Sequence, residues 1–168
     1  AAVGKSSMGS NSTGSDNSAM GVEALVTATT AASNAAFGRQ AMCKTTTGPT
    51  NTAVGAFALC ANTTGTENVA VGKDALKLNT TARQNTAFGT SALRDNTTGA
   101  CNTAVGFNAL ALNTTGCFNT AVGESSMAAN TTGNCKIAVG MCSLVANTEG
   151  CFNTAVGYDA GLSVTTGV

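Results

Sequence analysis

The residues of this chain that could do chemistry are its cysteines, and their spacing limits which chemistry is open to them. The 168-residue chain contains seven cysteines and no histidine. No two cysteines stand in a C-x-x-C arrangement, so a zinc site of the usual Cys/His composition is not expected. Disulfide formation is the chemistry that remains, and it would imply an oxidising, extracellular environment.

Nucleophilic and acid–base catalysis lack their usual residues. Without histidine, the common general base and the Ser-His-Asp arrangement are both missing. The eight acidic residues form no recurring pair. The sequence G-K-S at residues 4–6 lacks the first glycine of a phosphate-binding loop. We therefore expect no enzymatic activity, no catalytic residues, no cofactor and no metal.

A repeat of seventeen residues positions the cysteines and runs through the chain without insertion or deletion. With asparagine as position 1, the copies start at about residues 17, 34, 51, 68, 85, 102, 119, 136 and 153, after an incomplete first copy. Position 3 is Ala, position 5 is Gly and position 4 is apolar in all ten copies, and position 9 is Leu or Met in all but the last. A short, strict period predicts one elongated repeat array over residues 1–168.

This repeat predicts an all-β fold, a parallel β-solenoid of ten coils with two short strands in each. One strand covers positions 1–4 and ends at Gly, which permits positive φ at a corner. The second covers positions 7–11, and N-T-T-G closes the other turn. Coils stacked at about 4.8 Å would give a rod about 48 Å long. Because strand side chains alternate, we expect positions 4 and 9 to face the interior and the Ala of position 3 to face a neighbouring chain.

Stacked coils would bring cysteines of neighbouring copies within the Cα separation that a disulfide accepts. Two of the cysteines share position 10 of adjacent copies, and four fall at positions 16 and 17 of successive copies. The predicted disulfides are Cys43–Cys60, Cys101–Cys117 and Cys135–Cys151, with Cys117–Cys135 as the rival pairing and small buried thiols as the alternative. Cys142, at position 7, has no such partner and is a candidate interchain thiol.

Two columns of threonine, at positions 13 and 14, would run along one edge of the stack. Threonine suits a stacked turn in which its hydroxyl bonds to local backbone. The alternative is a regular array of hydroxyl and methyl groups of the kind that ice-binding solenoids present. The candidate surface ladder comprises Thr63, Thr64, Thr80, Thr81, Thr97, Thr98, Thr114, Thr115, Thr131 and Thr132.

Asparagine at position 12 stands in N-x-S/T sequences, which a glycosylating host could modify. The candidate glycosylation sites are Asn11, Asn62, Asn79, Asn96, Asn113 and Asn130. The alternative is that the asparagines of positions 1 and 12 form ladders of stacked amides.

The sequence A-V-G at residues 104–106, preceded by Asn and Thr and followed by Ala109-Leu110, resembles the head repeats of trimeric autotransporter adhesins. The seventeen-residue unit is also similar to arrays in phage tail fibres and related surface-fibre proteins. The resemblance covers essentially the whole chain, although the unit here is longer than the adhesin repeat around T-T-G. It implies a left-handed parallel β-roll wound into a homotrimer at a cell or virion surface.

Composition narrows the function further. Eight basic and eight acidic side chains form no basic stripe for nucleic acid. No apolar run approaches the roughly 18 to 20 residues of a membrane span. The chain starts in mid-repeat without a signal peptide, which predicts a fragment of a longer fibre.

We therefore expect a non-enzymatic structural segment of an extracellular fibre, adhesin-like or tail-fibre-like, that presents a repeated surface to a host receptor or glycan. The alternatives are a filament built by end-to-end stacking of solenoids and an ice- or surface-binding solenoid. The variable positions 6, 7, 16 and 17 would carry any specific contact. They include Phe107, Phe118, Phe152 and Tyr158.

Overall fold

The computed structural model describes residues 1–167 as a stack of coils in which each copy of the repeat contributes one short β-strand. The strands are β1 Ala2–Val3, β2 Ser18–Met20, β3 Ala35–Phe37, β4 Thr52–Val54, β5 Val69–Val71, β6 Thr86–Phe88, β7 Thr103–Val105, β8 Thr120–Val122, β9 Ile137–Val139 and β10 Thr154–Val156. They form one ten-stranded sheet in the order β1 to β10, and neighbouring strands are parallel throughout. The predicted all-β parallel solenoid is confirmed.

The register between strands aligns equivalent positions of the repeat. Thr52–Val54 pairs with Val69–Val71 residue by residue, and each of these positions continues as a column through the stack. Because parallel strands lie about 4.8 Å apart, equivalent strand residues of successive coils lie side by side. The seventeen-residue period is therefore one turn of the solenoid.

The second strand predicted at positions 7–11 does not form, and this part of each coil is a series of turns. In the fourth copy, Phe57 and Leu59 have φ values of 62° and 51°, which belong to the left-handed region rather than to a strand. The Leu59 amide donates a 3.0 Å hydrogen bond to the carbonyl of Ala75 in the next coil. The prediction was wrong because the coil must reverse direction within these few residues, and an extended strand cannot do so.

The alanine column lies inside the coil and the apolar column of position 4 lies outside, which is the opposite of the predicted arrangement. Ala53 is 0 % exposed, whereas its neighbour Val54 is 39 % exposed. The buried hydrophobic cluster combines alanines of positions 3 and 8 with Leu or Met of position 9, such as Leu59. Since the long position-9 side chain fills this thin interior, the strand can contribute only a methyl group. The invariant alanine is explained by packing inside the coil.

The invariant glycine of position 5 is required by both conformation and space. Gly55 has φ of 134°, a value that side-chain-bearing residues rarely adopt. A Cβ atom at this position would lie 2.5 Å from the carbonyl oxygen of Gly72 in the next coil. Position 5 is therefore a corner at which the backbones of successive coils approach each other too closely for a side chain.

Candidate functional surfaces

The outward side chains of positions 2 and 4 form a continuous apolar surface on the ten-stranded sheet, which we call the sheet face. Position 2 contributes mainly Thr, Val and Ile, and position 4 contributes Val, Phe and Met. Phe88, for example, is 56 % exposed. Every charged residue of the chain stands at another repeat position. An exposed sheet surface without Lys or Glu is unusual for a freely solvated sheet and indicates a contact surface.

The threonine hydroxyls of position 13 are engaged with the backbone. Thr63 Oγ1 donates a 3.0 Å hydrogen bond to the carbonyl of Thr80 in the next coil. The amides of Thr63, Thr64 and Gly65 converge on the same carbonyl at 2.9–3.4 Å. The equivalent bonds are made by Thr80, Thr97, Thr114 and Thr131. These hydroxyls stabilise the turn and are not free members of a surface array.

The threonines of position 14 remain as one exposed column. The candidate ladder residues Thr64, Thr81, Thr98, Thr115 and Thr132 are all exposed. The two-column array considered from the sequence is therefore reduced to a single column with a spacing of about 4.8 Å.

The asparagines of position 12 form a buried ladder inside the stack. Asn79 Nδ2 donates to Asn62 Oδ1 at 3.0 Å and to the carbonyl of Ala82 at 3.2 Å. The candidate glycosylation sites Asn62, Asn79, Asn96, Asn113 and Asn130 are all 0 % exposed. Their burial contradicts glycosylation of the folded coil, because a sugar on Nδ2 would displace the ladder bonds. Asn11, in the first coil, is exposed, and its glycosylation stays a prediction.

A second buried amide ladder runs through position 1. The Asn85 amide donates to Asn68 Oδ1 at 3.0 Å, and Asn85 Nδ2 donates to the Gly99 carbonyl at 2.9 Å. These side chains pair backbone groups that would otherwise be buried without partners, which costs about 1–3 kcal/mol for each group. The amide ladders considered from the sequence thus occur at both positions.

Lys136 interrupts the position-1 ladder and is fully buried, at 0 % exposure. Its Nζ donates to Asn130 Oδ1 at 2.5 Å and to Asn147 Oδ1 at 2.6 Å, which links the lysine to the position-12 ladder. Within residues 1–167, no acidic side chain forms an ion pair with it. Burial accordingly lowers the pKa of Lys136 to about 8.

The thiols of Cys43 and Cys60 lie side by side on adjacent coils. Their Sγ atoms are 3.0 Å apart, and both are free thiols in this structure. The hydrogen bond from Cys43 lowers the pKa of Cys60 to about 7 and raises that of Cys43. The predicted Cys43–Cys60 disulfide needs a small movement of these two side chains, and it stays a prediction.

The cysteines of positions 16 and 17 stand in two different columns. Cys117 Sγ accepts a 3.2 Å hydrogen bond from the amide of Ala100, while Cys101 Sγ donates to Gln84 Oε1 at 3.5 Å. In the rival pair, the Cys135 amide donates to the Cys117 carbonyl at 3.0 Å. The four cysteines concerned, Cys101, Cys117, Cys135 and Cys151, are free thiols, and so is Cys142. Their predicted bonds remain predictions.

The outward side chains of positions 6, 7, 10 and 11 form a second surface, which we call the turn face. Arg39 Cζ and Lys77 Nζ lie 5.1 and 5.3 Å from the centre of the Phe57 ring, within the range of a cation–π contact. Lys77 Nζ also lies 2.9 Å from Asp74 Oδ1. The turn face of the central coils therefore holds an ordered group of basic side chains.

Concave sites are not a feature of the described part of the chain. Residues 1–167 enclose no pocket, and they contain no group of three or more side chains that could hold a metal ion. None of the elements described for these residues is a helix with the length and apolar character needed to cross a membrane. The candidate sites are consequently flat surfaces.

Comparison of the chain with protein-family models, with curated proteins and with solved structures finds no match in any of the three.

Two features of these surfaces were not foreseen from the sequence. Lys136 is the one residue at a numbered start position that is not asparagine, and this departure does not by itself predict its burial. The grouping around Phe57 is visible only when the copies are aligned, because Arg39 and Lys77 stand 18 residues before it and 20 residues after it. In both cases the sequence signal for the feature is a residue that differs from the usual residue at its repeat position.

Proposed function

We propose that this chain is a non-enzymatic structural segment of an extracellular fibre, in which three copies associate side by side through their sheet faces. The resemblance of the N-T-A-V-G repeats to adhesin heads and tail-fibre arrays supports this proposal. The proposal includes a left-handed roll and a location at a cell or virion surface. The role of the segment is to give rigid reach and to present a repeated surface for attachment.

The observation that carries the proposal is the sheet face. Its apolar column continues over all ten strands, with Phe88 and Val54 well exposed. Burying such side chains stabilises an assembly by about 25 cal/mol for each Å² removed from water. Ten strands about 4.8 Å apart make the sheet face about 48 Å long. Apolar surface can therefore be buried between chains along the whole length of the rod.

Native mass measured by light scattering in non-reducing buffer tests the association. The wild-type chain is expected at about three times 16.4 kDa. The double variant Val71→Lys/Val105→Lys places two charges on the sheet face and is expected to have the mass of one chain. Its circular dichroism should be unchanged, because both side chains point outward.

The matched control is Thr81→Lys/Thr115→Lys, which adds the same charges to the exposed position-14 column of the same two coils. This control is expected to keep the trimer mass. A wild-type chain with the mass of a single copy would contradict the proposal.

An end-to-end filament is the second candidate, and the edge strands favour it. In the described chain, β1 and β10 each have one paired neighbour, and an open strand edge recruits further strands. A polydisperse mass far above the trimer, with long uniform threads in micrographs, would support this alternative. The ice-binding alternative is less favoured, because the position-13 hydroxyls of the two-column array are bonded to the backbone.

A further inference from the structure

The basic residues of the chain are concentrated on part of the turn face. Four consecutive copies, residues 34–101, place five of the eight basic side chains and two acidic ones at positions 6, 7, 10 and 11, a net charge of +3. The same positions of residues 102–168 carry no basic residue and two acidic ones. We call the central group the basic turn patch, and it consists of Arg39, Lys44, Phe57, Lys73, Asp74, Lys77, Arg94 and Asp95.

Several cations of this patch are held in place before any ligand arrives. Arg94 forms two 2.7 Å hydrogen bonds to the carboxylate of Asp95, and Lys77 is held between Asp74 and the ring of Phe57. Ordered side chains lose less conformational entropy on binding than free ones do. The patch is thus partly pre-organised.

Other cations of the patch are available to a ligand. The side chain of Lys73 is 66 % exposed, and its nearest carboxylate oxygen, on Asp74, is 3.9 Å away. Lys44 is exposed and forms no ion pair within residues 1–167. The hydrogen bond from Cys43 and the charges of Lys44 and Lys77 lower the pKa of Cys60, against the opposing effects of its burial and of Asp74.

We propose that the basic turn patch binds an acidic polysaccharide. Carboxylate or sulfate groups of the polymer pair with Arg39, Lys44 and Lys73, and Asp74 Oδ2 and the oxygens of Asp95 accept hydrogen bonds from sugar hydroxyls. Arg39 and Lys73 both stand at position 6, two coils apart, so their backbone positions are separated by about 9.6 Å along the stack. The inference rests on the proposed attachment role and gives it a ligand class.

The interleaved carboxylates favour a polysaccharide over a nucleic acid. Duplex DNA carries a charge about every 1.7 Å along its axis, and proteins bind it largely by neutralising several phosphates with Lys and Arg. Asp74 and Asp95 would repel such a dense row of charges. In an acidic polysaccharide the charges are separated by neutral hydroxyl groups, which matches a surface where cations alternate with hydrogen-bond acceptors.

Titration calorimetry with polygalacturonate and with dextran sulfate tests the proposal, with neutral dextran as the negative control. We expect Lys73→Glu to weaken binding about tenfold and Arg39→Glu/Lys73→Glu to abolish it. Lys5→Glu makes the same change at position 6 of the first copy, outside the patch, and should keep wild-type affinity. Wild-type binding should also weaken as salt rises from about 50 to about 200 mM.

Binding to one of the two polymers alone supports the proposal and identifies the preferred anionic group. Failure of the wild-type chain to bind either polymer would overturn it, as would tighter binding to duplex DNA or an equal loss in Lys5→Glu. The native mass of the same samples separates this result from the proposed assembly. A single-chain mass with intact polysaccharide binding would contradict the proposed trimer and would still support binding at the basic turn patch.

Discussion

Lys136 shows how much one residue can change inside a regular stack. It replaces an asparagine of the position-1 ladder, and its amine bonds to Asn130 and Asn147 of the position-12 ladder. The asparagines supply oxygen atoms but no negative charge, and burying an ammonium group without a counter-ion is costly. The coil accepts Lys136 because its two short hydrogen bonds offset part of that cost.

The stability of the chain should increase as the pH rises from about 8 to about 10.4, because of Lys136. Its folded pKa of about 8 lies below the ordinary lysine value of about 10.4. Between these values the unfolded state binds more protons than the folded state does. The free energy of unfolding therefore rises with pH, by about 3 kcal/mol from this residue at 1.36 kcal/mol per pKa unit.

Urea unfolding at pH 7 and pH 10, with reductant present, measures this effect against Lys136→Asn. The variant restores the ladder residue, so we expect it to be more stable than wild type at pH 7 and to lack this increase. All other residues are the same in both proteins, and the comparison cancels their contribution. The same pH slope in wild type and variant would show that Lys136 is not the origin.

At the scale of the strand, the alternation of side chains was predicted correctly and its phase was not. In the strand T-A-V of residues 103–105, one face has Ala and the other has Thr and Val. A prediction that the larger apolar residue faces the interior would place Val105 inside, whereas the structure buries Ala104. The outcome depends on Leu110, at position 9 of the same copy, which is fully buried and leaves room only for a methyl group.

A pair of substitutions distinguishes the two phases. Ala104→Val adds two methyl groups inside a filled coil, and overpacking of this kind costs about 1–3 kcal/mol. Val105→Ala removes atoms from a partly exposed side chain, and surface changes of this kind stay within about 0.5 kcal/mol. Urea unfolding of the two variants as single chains, where no contact between sheet faces contributes, measures both costs. A larger loss for Val105→Ala would contradict the observed phase.

Turns at positions 7–11 could not be recognised from residue type. Leu59 and Leu110 are good strand and helix residues, yet both adopt left-handed φ values, of 51° and 54°. The conformation is set by bonds to neighbouring coils, such as the one from the Leu110 amide to the Ser126 carbonyl. The invariant glycines of position 5 did predict a corner of the coil. A residue with a side chain rarely adopts their φ, and its Cβ atom would clash with the backbone of the next coil. The period therefore predicted the solenoid but not the path of each coil.

For the same reason the candidate surfaces were predicted only in part. The threonine and asparagine columns follow directly from the period. Whether a column points inward depends on the path of the coil, so the exposed Thr64 and the buried Asn62 could not be distinguished from sequence. The basic turn patch depends in addition on contacts between successive copies, such as those of Arg39 and Lys77 with Phe57.

At the scale of the whole molecule, each strand of residues 1–167 contacts only the strands of the coils before and after it. Such a stack should tolerate loss of a complete copy. Deletion of residues 85–101 joins Gln84 to Asn102 in phase, so every column continues. We expect this variant to keep its circular dichroism spectrum and cooperative unfolding, with somewhat lower stability because one coil contact is lost.

Deletion of residues 85–100, one residue fewer, is the matched control. It leaves the later copies one position out of register, which reverses which side chains of a strand face the interior. We expect a strong loss of cooperativity in thermal unfolding. Equal behaviour of the two deletions would mean that the register between coils does not control the fold.

The direction of the backbone hydrogen bonds also determines how the rod responds to tension. Bonds such as those from Gly55 to Phe37 and from Gly72 to Val54 join one coil to the next, so they run along the length of the rod. When the two ends of a single chain are pulled apart, the hydrogen bonds of the outermost coil carry the load first. The coils therefore detach one after another, because the bonds of all coils are not loaded in parallel.

Each detached coil would release seventeen residues, roughly 56–61 Å of chain at about 3.3–3.6 Å per residue. One chain alone would then lengthen in small steps at low force. Lateral association would change this response, because tension on one chain is shared with its neighbours. For a fibre under load, the contact between chains is therefore the element that sets its strength.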